Sequence, residues 1–264
     1  VKCCILLSPP SHADSCRDES HGHLTAFLFQ CALTEANDGN RVLFMTNRRW
    51  RSSLPNPVHA MPRTSINAMR RMTFVYPTSV DEVLRYLAVL GGQPSTSMPD
   101  VVILDDVDGL AFVKSGKLES ASSVMDESRV DESRIFDHQF VEKSLIRMLS
   151  GLVNFGNEVR RRREKQASVP NRQKTVKVVV GLHSNYEDSF VKEHFWDNFI
   201  VKLSMWFSEV WTLQEQEEND NDQHGKHIQL TCHSASPRLQ IDVLAKTDQY
   251  FFKCLARDSV RQQS

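Results

Sequence analysis

The chain has 264 residues, of which 40% are hydrophobic and 25% charged, with a formal net charge of −1. That length carries one large core or two small ones, in the composition range of soluble globular proteins. The near-zero charge excludes a global field toward nucleic acid or membrane, and no run approaches the ~20 apolar residues of a membrane span.

The six cysteines, Cys3, Cys4, Cys16, Cys31, Cys232 and Cys254, include no C-x-x-C pair. They do not form a disulfide framework, which points to a reducing compartment, cytosol or nucleus. The apolar stretch from Cys3 to Leu7 is too short for a signal-peptide core.

In chain order, Cys3 to Ser8 reads as a buried strand opening into a loop, Pro9 to His23. Thr25 to Ala36 is apolar nearly all round, as a buried helix is, and Asn37-Asp38-Gly39 stops it. Val42 to Thr46 is a second buried strand, followed by a polar, proline-bearing stretch from Asn47 to Arg71. Thr73 to Tyr76 is a short strand. Ser79-Val80-Asp81-Glu82 fits a capping box, and the helix it starts places Val80, Val83, Leu84, Leu87 and Leu90 on one face before Gly91-Gly92. Pro94 to Pro99 is a linker, and Val101 to Asp105 is a third buried strand.

Residues 114–134 hold the tandem words Asp126-Glu127-Ser128-Arg129 and Asp131-Glu132-Ser133-Arg134, which read as a mobile insert. Phe136 to Val159 is a long amphipathic helix, Val176 to Leu182 a strand, Phe195 to Leu203 a further helix, and Phe207 to Leu213 a strand. Residues 215–225 read as a second mobile insert. His227 to Cys232, Leu239 to Leu244 and Gln249 to Leu255 then form a β-meander. Strands alternating with helices imply an α/β protein with a mostly parallel sheet and an antiparallel end. In such sheets ligands bind beyond the carboxyl ends of the strands.

Val101-Val102-Ile103-Leu104-Asp105-Asp106 looks like the second nucleotide motif of a P-loop ATPase, the one that steers Mg²⁺. The bland alternative is a buried strand whose acidic end caps the next segment. The companion motif, G-x-x-x-x-G-K-[ST], is absent. Arg160-Arg161-Arg162-Arg163, Lys165, Arg172, Lys174 and Lys177 cluster against Glu164. Such a cluster suits nucleic-acid phosphates, the solvated end of a helix, or a nuclear localisation signal. Arg48, Arg49 and Trp50 form a smaller group suited to a partner protein or DNA. His12, Cys16, His21 and His23 share one segment, but their spacing fits no common zinc knuckle. Phe29-Gln30-Cys31-Ala32 spells F-x-x-A inside the buried helix, where core packing accounts for it.

Three longer words, Val42 to Arg49, Met69 to Pro77 and Val101 to Asp106, taken in their order and spacing, resemble RecA-recombinase paralogues. Within that group they are similar to the ATPase-fold subunit of the vertebrate Shu complex, which pairs with a SWIM zinc-domain protein. The resemblance runs from about Cys3 to Leu255 outside the inserts. It implies a single RecA-like P-loop ATPase core over residues 1–264, mostly parallel and flanked by helices, ending in the antiparallel meander. It also implies a nuclear role in homologous recombination repair, promoting recombinase filaments on single-stranded DNA, with an obligate SWIM-domain partner and the recombinase as partners.

At the chemical centre the chain departs from that pattern. His23-Leu24-Thr25 stands where the family has Gly-Lys-Thr, and Asn47, Arg48 and Arg49 stand where the catalytic glutamate belongs. Thr25, Asp105 and Asp106 remain as candidate nucleotide-edge residues, and Arg160, Arg161, Arg162, Arg163, Lys165, Arg172 and Lys174 as candidate DNA contacts. The expectation is a chain with no catalytic residue and no resident cofactor or metal, hydrolysing ATP poorly or not at all. The alternative is a DNA-stimulated ATPase that holds ATP and Mg²⁺ in an atypical phosphate loop.

Overall fold

The computed structural model describes residues 2–8, 17–47, 54–55, 58, 61–94, 97–112, 130–166, 176–183, 207–216, 226–233, 239–246 and 249–257. Its strands are β1 (Lys2–Ser8), β2 (Val42–Met45), β3 (Met72–Val75), β4 (Val101–Leu104), β5 (Lys177–His183), β6 (Glu209–Gln216), β7 (Lys226–Cys232), β8 (Leu239–Lys246) and β9 (Gln249–Arg257). Its helices are α1 (Arg17–Asn37), α2 (Ile66–Met69), α3 (Val80–Gly91), α4 (Val107–Phe112) and α5 (Val130–Gln166).

Every residue of β2 and β4 is buried, as strands covered on both faces must be. Among the described residues all nine strands join one sheet in the order β3-β2-β4-β5-β1-β6-β7-β8-β9. The first six positions are linked in parallel, and β6 to β9 follow as an antiparallel meander. This is a RecA-like α/β architecture, as the resemblance implied.

Alternation along the strands sorts side chains into two cores. Ile5, Leu7, Leu43, Met45, Val102, Leu104, Val178 and Val180 face α3, α4 and α5. Val42, Phe44, Val101, Ile103 and Val179 face α1, with Leu213, Ile228 and Val243 of the meander on the same side. Into that second core α1 inserts Leu24, Leu28, Phe29, Ala32 and Leu33. Burying each of its large apolar side chains contributes about 1.5–3 kcal/mol before the entropy of ordering is set against it. Gly39 ends α1 at φ +89°, a conformation that suits glycine, and Asn40 N donates to Glu35 O to satisfy a last-turn carbonyl.

The start of α3 follows the expected cap with a shift of one residue. Ser79 Oγ accepts from Glu82 N at 3.3 Å, but the Glu82 carboxylate reaches back to Thr78 N and Oγ1 rather than to the cap itself. Those hydrogen bonds lower the Glu82 pKa.

Several sequence expectations change. The loop expected up to His23 gives way at Arg17, where α1 begins. α2 occupies part of the stretch read as polar and proline-bearing, and α4 forms where no element was assigned. α5 begins at Val130, so the end of the segment expected to be mobile is helical, while residues 114–129 lie outside the described residues. Glu215 and Gln216 extend β6 by pairing with Ile228 and His227, and the rest of the 215–225 insert is outside the described residues. So is the helix expected around Phe195 to Leu203.

Gly181 of β5 fixes how closely α1 approaches the sheet. A Cβ there would clash with Leu28 Cδ1 and stand 3.5 Å from Asp105 Oδ1. Replacing Gly181 by Val is expected to cost about 1–3 kcal/mol through overpacking, read as a lower urea midpoint. Gly91→Ala, where nothing lies within 4 Å of the added Cβ, is the matched control and leaves stability equal or higher.

Candidate functional site

The carboxyl ends of β2, β4 and β5 meet the start of the buried part of α1 at Asp105. Its backbone N donates to Met45 O at 2.8 Å, carrying the β4–β2 ladder one residue past the strand. Its side chain is 0% exposed. Thr25 Oγ1 donates to Asp105 Oδ2 at 3.0 Å and Thr46 Oγ1 donates to the same oxygen at 3.2 Å. Thr25 and Thr46 are themselves buried. A carboxyl group removed from water needs such donors, because burying a polar group without hydrogen bonds is costly.

Asp106 then takes φ +56°. Aspartate tolerates this left-handed conformation better than most residues, and the turn sends the chain off the sheet into α4. Asp106 is also buried. Gly109 packs against it so closely that a Cβ would lie 2.8 Å from Asp106 Oδ1 and 2.7 Å from Asn47 Nδ2. Asn47, where a catalytic glutamate was sought, therefore brings a neutral amide beside Asp106. An amide has no basic carboxylate to offer a water.

Leu24 occupies the position of the phosphate-loop lysine. Its side chain is 0% exposed and packs with Leu28, Phe44 and Ile103 in the α1-facing core. The residue is turned into the core between α1 and the sheet. Of the sequence-predicted nucleotide-edge residues, the fold thus brings Thr25, Asp105 and Asp106 together and adds Thr46, which sequence reading placed only at a strand end. Gly181 and Gly109 were missed too, since nothing local in the sequence marks the close approaches they permit. Among the described residues no trio of His, Cys, Asp or Glu is placed to hold a metal ion. Phe29 and Ala32 are buried in the core, in keeping with the packing reading of F-x-x-A.

The arginine run lies elsewhere. α5 ends where β5 begins, on the amino edge of the sheet, so these residues are not on the edge that holds Asp105. Arg163 is mostly buried and clamps the start of β4, donating to Pro99 O at 3.1 Å and Met98 O at 3.3 Å and pairing with Asp100 at 3.0 Å. Arg160 pairs with Glu164, while Arg161 and Arg162 share Glu158. The hydrogen bonds from Arg161 and Arg162 lower the Glu158 pKa to about 2. Lys165 is exposed in the last turn of α5. Arg172, Lys174, Arg48, Arg49 and Trp50 lie outside the described residues.

Cys31 and Cys4 are poor nucleophiles. Burial pushes Cys31 up to about 11 and Cys4 further still, so both stay protonated.

Neither a protein-family profile nor a curated protein matches the chain. Among solved structures it is similar to a KaiC-like protein from the hyperthermophilic archaeon Pyrococcus horikoshii OT3, at 11% identity and a TM-score of 0.44, over 95% of this chain and 89% of that one. The fold class rests on the strand order and layering described above, not on that likeness.

Removing either hydroxyl tests how the buried carboxyl group is held. Thr25→Val and Thr46→Val are each expected to destabilise by about 1–3 kcal/mol in urea unfolding. The double variant should depart from additivity, because both donors serve one oxygen.

Proposed function

We propose that the chain is a non-catalytic or weakly catalytic RecA-recombinase paralogue. It works in the nucleus in homologous recombination repair. With a SWIM zinc-domain partner it binds single-stranded DNA and promotes assembly of recombinase filaments. Its core serves as a scaffold, and its nucleotide edge is a remnant.

The observation that carries the non-catalytic reading is the pairing of Leu24 with Asp105. The residue at the lysine position is core, with no charge to neutralise phosphate, and the metal-steering carboxyl group is enclosed with two hydroxyl donors on one oxygen. Phosphoryl transfer depends on positioning and charge neutralisation, and both are degraded here. The recombination role is supported by the ordered words Val42 to Arg49, Met69 to Pro77 and Val101 to Asp106 within this architecture.

One observation favours the alternative, a DNA-stimulated ATPase with an atypical phosphate loop. Thr25 and Asp105 are still hydrogen-bonded to each other, in a place where a hydroxyl and a carboxylate could share Mg²⁺. Phosphate release from Mg·ATP in the presence of single-stranded DNA separates the two readings. The scaffold reading expects no turnover above that of the Asp105→Asn variant. Turnover that this substitution abolishes would establish the ATPase instead.

A further inference from the structure

The strands β3, β2, β4 and β5 start side by side, and backbone hydrogen bonds tie their first residues together. Val42 N donates to Arg71 O at 2.9 Å, Asp100 N to Arg41 O at 2.8 Å, and Lys177 N to Asp100 O at 3.0 Å. Residues 71, 41, 100 and 177 therefore form a row across four strands. At about 4.8 Å per strand the row spans roughly 14 Å. Arg163, bonded to Met98 O, Pro99 O and Asp100, brings the end of α5 onto the same line.

The two ion pairs at the strand starts share one orientation. Side-chain exposure is 40% for Arg41 against 13% for Asp100, and 44% for Lys177 against 12% for Glu35. On α5 it is 50% for Arg160 against 35% for Glu164, and 55% for Arg161 against 34% for Glu158. At the strand starts the carboxylate lies beneath and the cation on top, whereas on α5 both members of each pair reach solvent, Arg162 and Glu158 at 36% and 34%. The carboxylates hold the cations in place, and Arg41, Lys177, Arg160 and Arg161 present spare donors to solvent, with Asp38 of the α1–β2 turn also exposed. Guanidinium and ammonium groups have more donors than one carboxylate contact uses. Beyond Arg71 the line opens into a pocket of about 430 Å³ lined by Asn37, Ser65, Asn67, Arg70 and Arg71, with no acidic residue in its lining.

We propose that this amino edge is the track for the phosphate backbone of single-stranded DNA. It runs from the Arg70–Arg71 pocket past Arg41 and Lys177 to the exposed arginines of α5. The inference rests on the DNA-binding reading above, but it assigns the contact to the edge opposite Asp105 and adds Arg41, Arg70 and Lys177 to it. A flexible single strand can lay its phosphates along charges set on a sheet edge. Contacts of this kind read charge and spacing rather than bases.

The test is fluorescence anisotropy of labelled oligo-dT with the full chain at 50 and 200 mM salt. Arg70→Gln, Arg160→Gln and Arg161→Gln are combined in one variant. These side chains are exposed, so its melting temperature should match the wild type. Losing three phosphate contacts should lower the log–log salt slope by about 2 for a single strand. Arg48→Gln with Arg49→Gln, which follow β2 in the sequence, should leave the slope unchanged. If the Arg48/Arg49 variant alone flattens the slope, DNA is held away from this track: the present inference falls while the DNA-binding reading stands. No salt-dependent binding by the wild type overturns both. Tighter binding to a duplex than to oligo-dT, or to poly-glutamate instead of DNA, overturns the assignment of this edge to single strands.

Discussion

The carboxyl group of Asp105 has no access to water, and the elements around it are arranged to satisfy it. One hydroxyl comes from α1 and one from the end of β2, so the group ties a helix and two strands through a single oxygen. Thr25 reaches it because α1 lies unusually close to the sheet, an approach that Gly181 makes possible. The left-handed turn at Asp106 takes the chain off the sheet and into α4. Net contributions from single hydrogen bonds are modest, but leaving such a group without them is expensive, and that asymmetry makes the constraint strong.

The two edges of the sheet carry different physics. At the carboxyl edge, where α/β proteins ordinarily receive ligands, Thr25, Thr46, Asp105 and Asp106 are buried and the two hydroxyls serve one carboxyl oxygen. At the amino edge, Arg41 and Lys177 turn outward over the acids that pair with them. A protein with a net charge of −1 can therefore present a concentrated positive line while showing no overall attraction to polyanions.

Much of the fold was legible because its signals are local. The fully apolar runs Val42 to Met45 and Val101 to Leu104 could only be central strands, and Ser79 with Glu82 announced the start of α3. The misses are equally physical. Arg17 to His23 has no apolar periodicity, so the first turns of α1 looked like loop. Val107 to Phe112 follows two aspartates and contains Asp108-Gly109, a turn signal that tertiary packing overrode. At the site, Asp105 and Thr25 were found through the order of words, but Thr46 and Gly181 act through contacts between residues far apart in the chain. The position of Arg163 was misread for the same reason: a run of four arginines shows charge but not the buried Asp100 that claims one of them.

The central claim is that this RecA-like core has turned its nucleotide edge into packing. Thermal unfolding with and without saturating Mg·ATP tests it most directly, because a ligand present at 100 times its Kd adds about 2.7 kcal/mol to the folded state. The account predicts a melting temperature that nucleotide leaves unchanged, in the wild type and in Asp105→Asn alike. A saturable rise that Mg²⁺ supports and Asp105→Asn removes would contradict it.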